Sequence, residues 1–198
     1  MIKTILAICT FFVFSATIYS QNIDIELLRE INVNRNKSLD PTFRFVSSTV
    51  TPICIASPVL VYAVGIAQKD SSLKYKGIYI GETILVSVFF STALKYSIKR
   101  ERPFTTYSFI DKATMVESPS FPSGHTSDAF ATATSLSIAF PKWYVIAPSF
   151  LWASAVGYSR LDLGVHYPSD VLAGAIIGAG SAYFSYKLNK WLLKKRNK

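Results

Sequence analysis

Two stretches of this 198-residue chain gather the residue types that phosphate chemistry uses. The first opens with Lys95, runs six residues to Arg102-Pro103, and closes with Pro122-Ser123-Gly124-His125. The second holds Ser159-Arg160, five residues, His166, three more residues, and Asp170. Lysine and arginine bind phosphoryl oxygens, arginine in a bidentate fork. Histidine supplies a nucleophile or a proton near neutrality. Each cluster also has an ordinary structural reading. Lys95 and Arg102 suit the flank of a membrane helix, Pro122-Ser123-Gly124 a turn and helix cap, and Asp170 an acidic first turn beside a satisfied His166. A metal pair is weaker, because the chain has two histidines and no carboxylate cluster converging on them. The structural readings leave the order and spacing of the clusters unexplained.

Half of the residues are hydrophobic and 17% are charged, against about 25% charged in a soluble domain. That excludes a disordered chain and argues against an ordinary cytosolic enzyme. Two cysteines do not staple a fold of this length, and Cys9 and Cys54 lie in separate apolar stretches, as free thiols do. The formal charge of +9 is gathered at one end: six of the 21 basic residues fall in the last twelve positions, and no acidic residue follows Asp170. A basic tail directly after an apolar segment marks a cytoplasmic terminus. No basic helix interleaved with exposed aromatics accompanies it, so no nucleic-acid partner is expected.

The elements that must position the two stretches are apolar. Lys3, a run from Ile5 to Ile18 and Ser20-Gln21 have the form of a signal peptide over 1–20, or of a first membrane span. Residues 21–198 then read as one membrane domain with its motif core at 95–170. Ile23, Leu27 and Ile31 recur at helical spacing among Asp24, Glu26, Arg29 and Glu30, predicting an amphipathic helix on the membrane surface. Apolar segments follow at Val50–Ala67, Ile78–Leu94, Trp143–Tyr158 and Val171–Tyr186, with an Ala-, Ser- and Thr-rich fifth at Ser127–Phe140. Each falls a little short of the roughly 20 residues that cross a bilayer alone, so packing into a bundle is expected. The runs are continuous, whereas the strands of a membrane barrel alternate. Gly174 and Gly178 permit close helix approach, and Glu82 and Asp128 are expected to face the bundle interior. The fold class is an all-α, membrane-embedded helical bundle of five to six spans.

Connections carrying Lys69, Lys74, Lys76 and Lys142, and the tail, read as cytoplasmic. Residues 95–124 and 159–167 then face outward together. Their positive charge runs against the usual bias, and an anionic ligand would account for it.

In their residues and spacing the three motifs from Lys95 to Asp170 resemble the type 2 phosphatidic acid phosphatases, which share a helical fold with vanadium haloperoxidases and bacterial class A acid phosphatases. The first 94 residues resemble that family only in their alternation of apolar segments. The resemblance implies one phosphate pocket without metal or cofactor. His166 would be the nucleophile that forms a phosphohistidine, Asp170 the group that orients it, and His125 the acid and then the base. Lys95, Arg102, Ser123, Gly124 and Arg160 would hold the phosphoryl oxygens. These roles agree with the physics: a phosphate monoester carries about −1.5 to −2 charge near neutrality, and helix-start amides with arginine forks suit its equatorial oxygens. Pro168 suits the first turn of a helix and places His166 at its entrance. Asp162 departs from the family's commoner apolar or aromatic residue; it either turns to solvent or a surface lysine, or repels phosphate in the pocket.

The implied protein is a multi-pass phosphatase of the cytoplasmic membrane, its pocket facing outward. Its expected partners are the bilayer and a lipid phosphate, such as undecaprenyl diphosphate, phosphatidylglycerol phosphate, phosphatidic acid or a lipid A phosphate. The alternatives are a secreted nonspecific acid phosphatase or vanadate-dependent haloperoxidase, disfavoured by the near-spanning segments, and a non-catalytic lipid-phosphate-binding membrane protein.

Overall fold

The computed structural model describes residues 23–196, so the reading of residues 1–20 as signal or span, and Cys9 with it, lies outside the described residues. The described residues are helical and contain no strand. Helix α1 covers residues 23–33. A 3-10 turn at Lys37–Leu39 leads to α2 (Asp40–Ser48), α3 (Val50–Ala67) and α4 (Ser71–Ile98). A short α5 (Pro103–Thr106) interrupts the long connection to α6 (Gly124–Ala139), which is followed by α7 (Trp143–Asp162) and α8 (Pro168–Arg196). The stretches Lys37–Ala67 and Ser71–Thr106 are long and apolar enough to cross a membrane by themselves.

Helix α6 sits in the middle, against α3, α4, α7 and α8. Its 16 residues rise about 24 Å at 1.5 Å per residue, short of a ~30 Å hydrocarbon core. It is nevertheless stable there because its neighbours cover it and because most of its polar side chains are bonded inside the bundle. Thr132 Oγ1 donates to the Asp128 carbonyl at 2.8 Å, and Ser87 Oγ donates to the Asp128 carboxylate at 3.0 Å. Glu82 accepts from Asn189 Nδ2 at 2.6 Å. Both intrahelical acids therefore meet partners on other helices of the bundle, and Cys54 is buried as a free thiol.

The long connection from α4 to α6 and the short one from α7 to α8 bring the C-terminal ends of α4 and α7 to the same end of the bundle as the N-terminal starts of α6 and α8. Helices run further than the apolar pattern implies. Helix α4 continues past Leu94 to Ile98, α7 past Tyr158 to Asp162, and α8 past Tyr186 to Arg196. Backbone hydrogen bonding continues where the side chains turn polar. In α4, Lys95 is stabilised in the last turn by carbonyl acceptors.

Helix α1 docks with a face the periodicity did not single out. Asp24, Leu28 and Asn32 are buried, whereas Ile23 and Leu27 are exposed. Leu28 packs with Ile110 and Tyr167, and Asn32 donates to the carbonyls of Asp111 and Asp162 at 3.0 and 2.7 Å while accepting from Asp111 N at 2.8 Å. The helix is amphipathic as expected, yet its bundle-facing stripe is polar at both ends.

Glycine is required at position 178 by space and at position 164 by conformation as well. A Cβ at Gly178 would overlap the backbone oxygen of Ser127 and come within 2.7 Å of Ala131 N, which is how tightly α8 lies on α6. Gly164, with φ +69°, turns the chain out of α7, and a Cβ there would lie 2.5 Å from the Asp111 carbonyl. Gly178→Ala is expected to destabilise the detergent-solubilised protein by about 1–3 kcal/mol, the usual cost of overpacking. Gly180→Ala, with nothing within 4 Å, is the neutral control; equal thermal midpoints for the two variants would refute the packing account. Gly164→Ala adds about 1–2 kcal/mol of left-handed backbone strain to its clash and should lower the midpoint as well.

Candidate active site

All eight residues singled out by the motifs lie at the one end of the bundle where α6 and α8 begin. Lys95 occupies the last turn of α4 and Arg160 the last turn of α7. Arg102 immediately precedes α5, Ser123 is the N-cap of α6, and Gly124 and His125 open that helix. His166 lies in the connection between α7 and α8, two residues before Pro168 opens α8, and Asp170 lies in the first turn.

The histidine of that connection is almost fully buried. Its Nδ1 faces Asp170 Oδ2 at 3.3 Å, and its Nε2 lies 3.3 Å from Arg102 Nη1. A carboxylate acceptor at Nδ1 assigns the ring proton there and leaves the Nε2 lone pair toward the cations. Burial holds the His166 pKa far below the ordinary 6.5, at about 3; Asp170 raises it only in part, while Arg102 and Arg160 lower it further. The ring is thus a neutral base across the physiological range.

Asp170 is the most heavily used acceptor at this end. Its Oδ2 also takes Ser120 Oγ at 2.5 Å and the backbone N–H of Tyr167 at 3.0 Å, and its Oδ1 takes Arg100 Nη1 at 2.7 Å. Accepting the N–H of Tyr167, the residue before Pro168, makes it half of a capping box, so the acid that faces the histidine also fixes the helix start.

Two of the three cations are buried on backbone oxygens. Lys95 Nζ donates to the carbonyls of Pro119 at 2.7 Å and Pro122 at 2.9 Å. Arg102 donates through Nε to the Ser118 carbonyl at 2.8 Å and through Nη1 to the Val165 carbonyl at 2.6 Å. Arg160 Nη1 donates to Ser47 Oγ on α2, and its buried Nε has no acceptor. Arg160, Arg102 and Lys95 all act electrostatically on the His125 ring, which places that second imidazole among the same charges. Ser123 Oγ pairs with Thr126 Oγ1 at 2.9 Å and does not cap its own helix. The first amides of α6 therefore lack a side-chain acceptor, as in a helix-start anion site. Gly124 leaves open space where a side chain would stand.

Asp162 takes neither of the two positions expected for it. It is buried, yet its charge neighbours are Arg35 and Asp40, outside the cation cluster. Two residues along a helix is a rotation of about 200°, so Arg160 and Asp162 leave α7 on opposite sides. Two site residues escaped the motif reading. Asp24 on α1 and Arg100 between α4 and α5 meet at 2.8 Å, directly behind Asp170. The only local signal was a basic residue two before Arg102, unremarkable in a basic connection. A separate cavity of about 760 Å³, lined by Lys76, Glu82 and Asn189 among others, opens at the far end of the bundle, away from the histidines.

The sequence model of the PAP2 superfamily matches residues 76–194. An undecaprenyl-diphosphatase of Sulfolobus acidocaldarius is 27% identical over 177 residues, which are 85% of this chain and 80% of that protein. A lipid A 4'-phosphatase of Bacteroides thetaiotaomicron is 42% identical over 66 residues, 33% of this chain and 29% of that protein. Among solved structures, LpxE of Aquifex aeolicus superposes with a TM-score of 0.74 at 29% identity, covering 83% of this chain and 95% of that one. The superfamily match takes in every cation, histidine and carboxylate of the cluster from Lys95 to Asp170, and with it the chain belongs to the PAP2 superfamily of membrane phosphatases.

Proposed function

We propose that this protein hydrolyses the phosphate ester or diphosphate of a membrane lipid through a phosphohistidine on His166, without a metal ion. The observation that carries the reading is the arrangement of His166: Nδ1 tied to a buried carboxylate, Nε2 directed at a cluster of three cations. That is the geometry of an oriented nucleophile beside an anion site.

In the first step His166 Nε2 attacks phosphorus in line. A P–N bond forms, the P–O bond to the lipid breaks, and protonated His125 gives its proton to the leaving oxygen. Asp170 balances the positive charge that the phosphorylated ring acquires. In the second step neutral His125 takes a proton from water, the oxygen attacks phosphorus, and the P–N bond breaks to release phosphate and restore both rings. Lys95, Arg102, Arg160, Ser123 and the amide of Gly124 hold the equatorial oxygens throughout. The unpaired Nε of Arg160 supports this role, because a buried donor without an acceptor is costly until an anion supplies one. A cluster dominated by positive side chains also favours a phosphate over a metal ion.

The substrate class follows from the setting. The site lies at the end of a bundle whose helices expose apolar side chains such as Phe89, Leu85 and Leu151 around its flanks, so a lipid reaches it from the bilayer. The names of the relatives point to a polyprenyl diphosphate or a lipid A phosphate as the headgroup. The basic tail and Lys69, Lys74 and Lys76 at the opposite end favour an orientation with the site on the outer face of the cytoplasmic membrane.

Phosphate release by detergent-purified protein, measured with chelator over a panel of polyprenyl diphosphate, lipid A and a soluble phosphate ester, tests the reading. Activity on a lipid is expected to survive the chelator, and folded His166→Ala is expected to lose about a thousandfold or more in kcat. Wild-type rates in that variant, or loss in chelator that added metal restores, would overturn it. The pH profile gives a second test. His166 must be neutral to attack, and burial lowers its pKa to about 3, which keeps the ring neutral well below 6.5. The acid limb of kcat/KM that belongs to the nucleophile should therefore lie far below 6.5. An acid limb at 6.5 that disappears only with substitution of His166 would contradict the buried, neutral nucleophile.

A further inference from the structure

Behind the nucleophile runs a second layer of charge that the three motifs do not contain. Arg100 joins two acids: its Nη1 donates to Asp170 Oδ1 at 2.7 Å and its Nη2 to Asp24 Oδ2 at 2.8 Å. The guanidinium carbon also lies over the Tyr167 ring, 3.8 Å from its centroid, so Arg100 is held from a third side. Asp24 has a further task. Its Oδ1 accepts the backbone N–H of Ser169 at 2.7 Å, its Oδ2 accepts Ser169 Oγ, and Arg100 Nη1 reaches the same hydroxyl at 2.7 Å. Ser169 is the second residue of α8, so its amide is one of the donors a helix start leaves without a partner. Asp24, 145 residues earlier in the chain, supplies that partner. It comes from α1, a helix anchored by Leu28 and Asn32, both fully buried.

We infer that Asp24 and Arg100 are positioning residues of the catalytic apparatus: acting together on Asp170 and the start of α8, they hold the His166 ring in line, which makes helix α1 part of the active site. The inference rests on His166 as nucleophile. Asp170 has two oxygens, and the one that faces His166 also serves Ser120 and the Tyr167 amide. Rotation of the carboxylate would exchange these partners. The 2.7 Å ion pair of Arg100 on the other oxygen prevents that rotation, and Asp24 keeps Arg100 from swinging toward solvent. Arg100 also offsets the negative charge of Asp170, which limits how strongly that acid stabilises protonated His166. The remaining charges near His166 are Arg102 and Arg160, with Lys95 acting on Asp170; all are positive and all remain in the variants proposed.

With two histidines in the chain, protein labelled with ¹⁵N-histidine reports both rings, and His125→Gln assigns them. Arg100→Gln is expected to lower kcat about tenfold or more, a portion of the 10²–10⁴ that acid–base and nucleophile placement supply, with KM changed less than about threefold. The His166 ring is expected to take its second proton at higher pH than in the wild type, because the Asp170 charge is no longer shared. Asp24→Ala should lower kcat in the same way, and Asp24→Asn, whose Oδ1 still accepts from Ser169, should recover much of it. If Arg100→Gln does not fold, the Asp24 pair decides. A kcat within twofold of wild type in Arg100→Gln and Asp24→Ala would overturn the inference. So would a fall in kcat with an unmoved His166 titration and no recovery by Asp24→Asn, which would indicate a merely structural contact. Should His166→Ala retain activity, the nucleophile reading itself fails; an inactive His166→Ala beside fully active Arg100→Gln and Asp24→Ala rejects the positioning role alone.

Discussion

A single buried carboxylate organises this end of the molecule. Asp170 is fully inaccessible, and burying a charge of that kind is tolerable only when every lone pair finds a donor and the charge finds a partner. It meets both conditions by joining three pieces of chain, two of them distant in sequence, through four donors. These are the Tyr167 amide and the His166 ring from the connection just before its own helix, Ser120 from the loop before α6, and Arg100 from between α4 and α5. Each bond that satisfies the acid also locates a segment the chemistry needs. The relation is mutual: losing any one donor leaves the charge underpaired and frees the segment that supplied it.

The electrostatics of the surroundings follow from where helices begin and end. Helices α6 and α8 start at the site and direct their positive dipole ends and unbonded amides toward it. Lys95 and Arg160 come from the last turns of α4 and α7, where a cation is favoured by the negative end of its own helix. The bundle therefore brings two kinds of positive potential to one point without requiring any helix to carry an unfavourable charge along its span. The central helix can be short and rich in Ser, Thr and Ala because it is covered on all sides. Its small residues let α8 approach closely enough, at Gly174 and Gly178, for Ser123 and Asp170 to share a backbone hydrogen bond of 3.0 Å.

The helical class and the motif clusters were legible in the sequence because both depend on local signals: apolar runs, a proline at a helix start, fixed gaps between cations and histidines. The spans of α4, α7 and α8 were read too short for a related reason. Hydropathy stops where side chains turn polar, while backbone hydrogen bonding continues through Lys95, Arg160 and the basic tail. Helix α1 shows the deeper limit. Its exposed stripe, Ile23 and Leu27, carries the periodic signal, and its docked stripe is Asp24, Leu28 and Asn32. A buried Asp or Asn is identical in sequence to a solvated one. Its identity as a structural residue lies in Ser169 and Arg100, or in Asp111 and Asp162, and no local pattern links positions 76 to 145 residues apart.

Asp162 makes the same point in reverse. Read along the chain, it stands two residues from the arginine proposed to bind phosphate and looks hostile to an anion. Read around the helix, it leaves α7 on the far side, where it joins the Arg35 and Asp40 charges that tie α1 and α2 to the bundle. The two groups share a helix turn but act in separate electrostatic compartments, because the body of α7 lies between them. This separation lets one helix end carry the cation proposed for the substrate and a buried carboxylate beside the N-terminal segment at once. The strongly positive cluster is thus compatible with acids close by in sequence, provided that each acid is either directed away, as Asp162 is, or matched to a dedicated cation, as Asp170 is to Arg100.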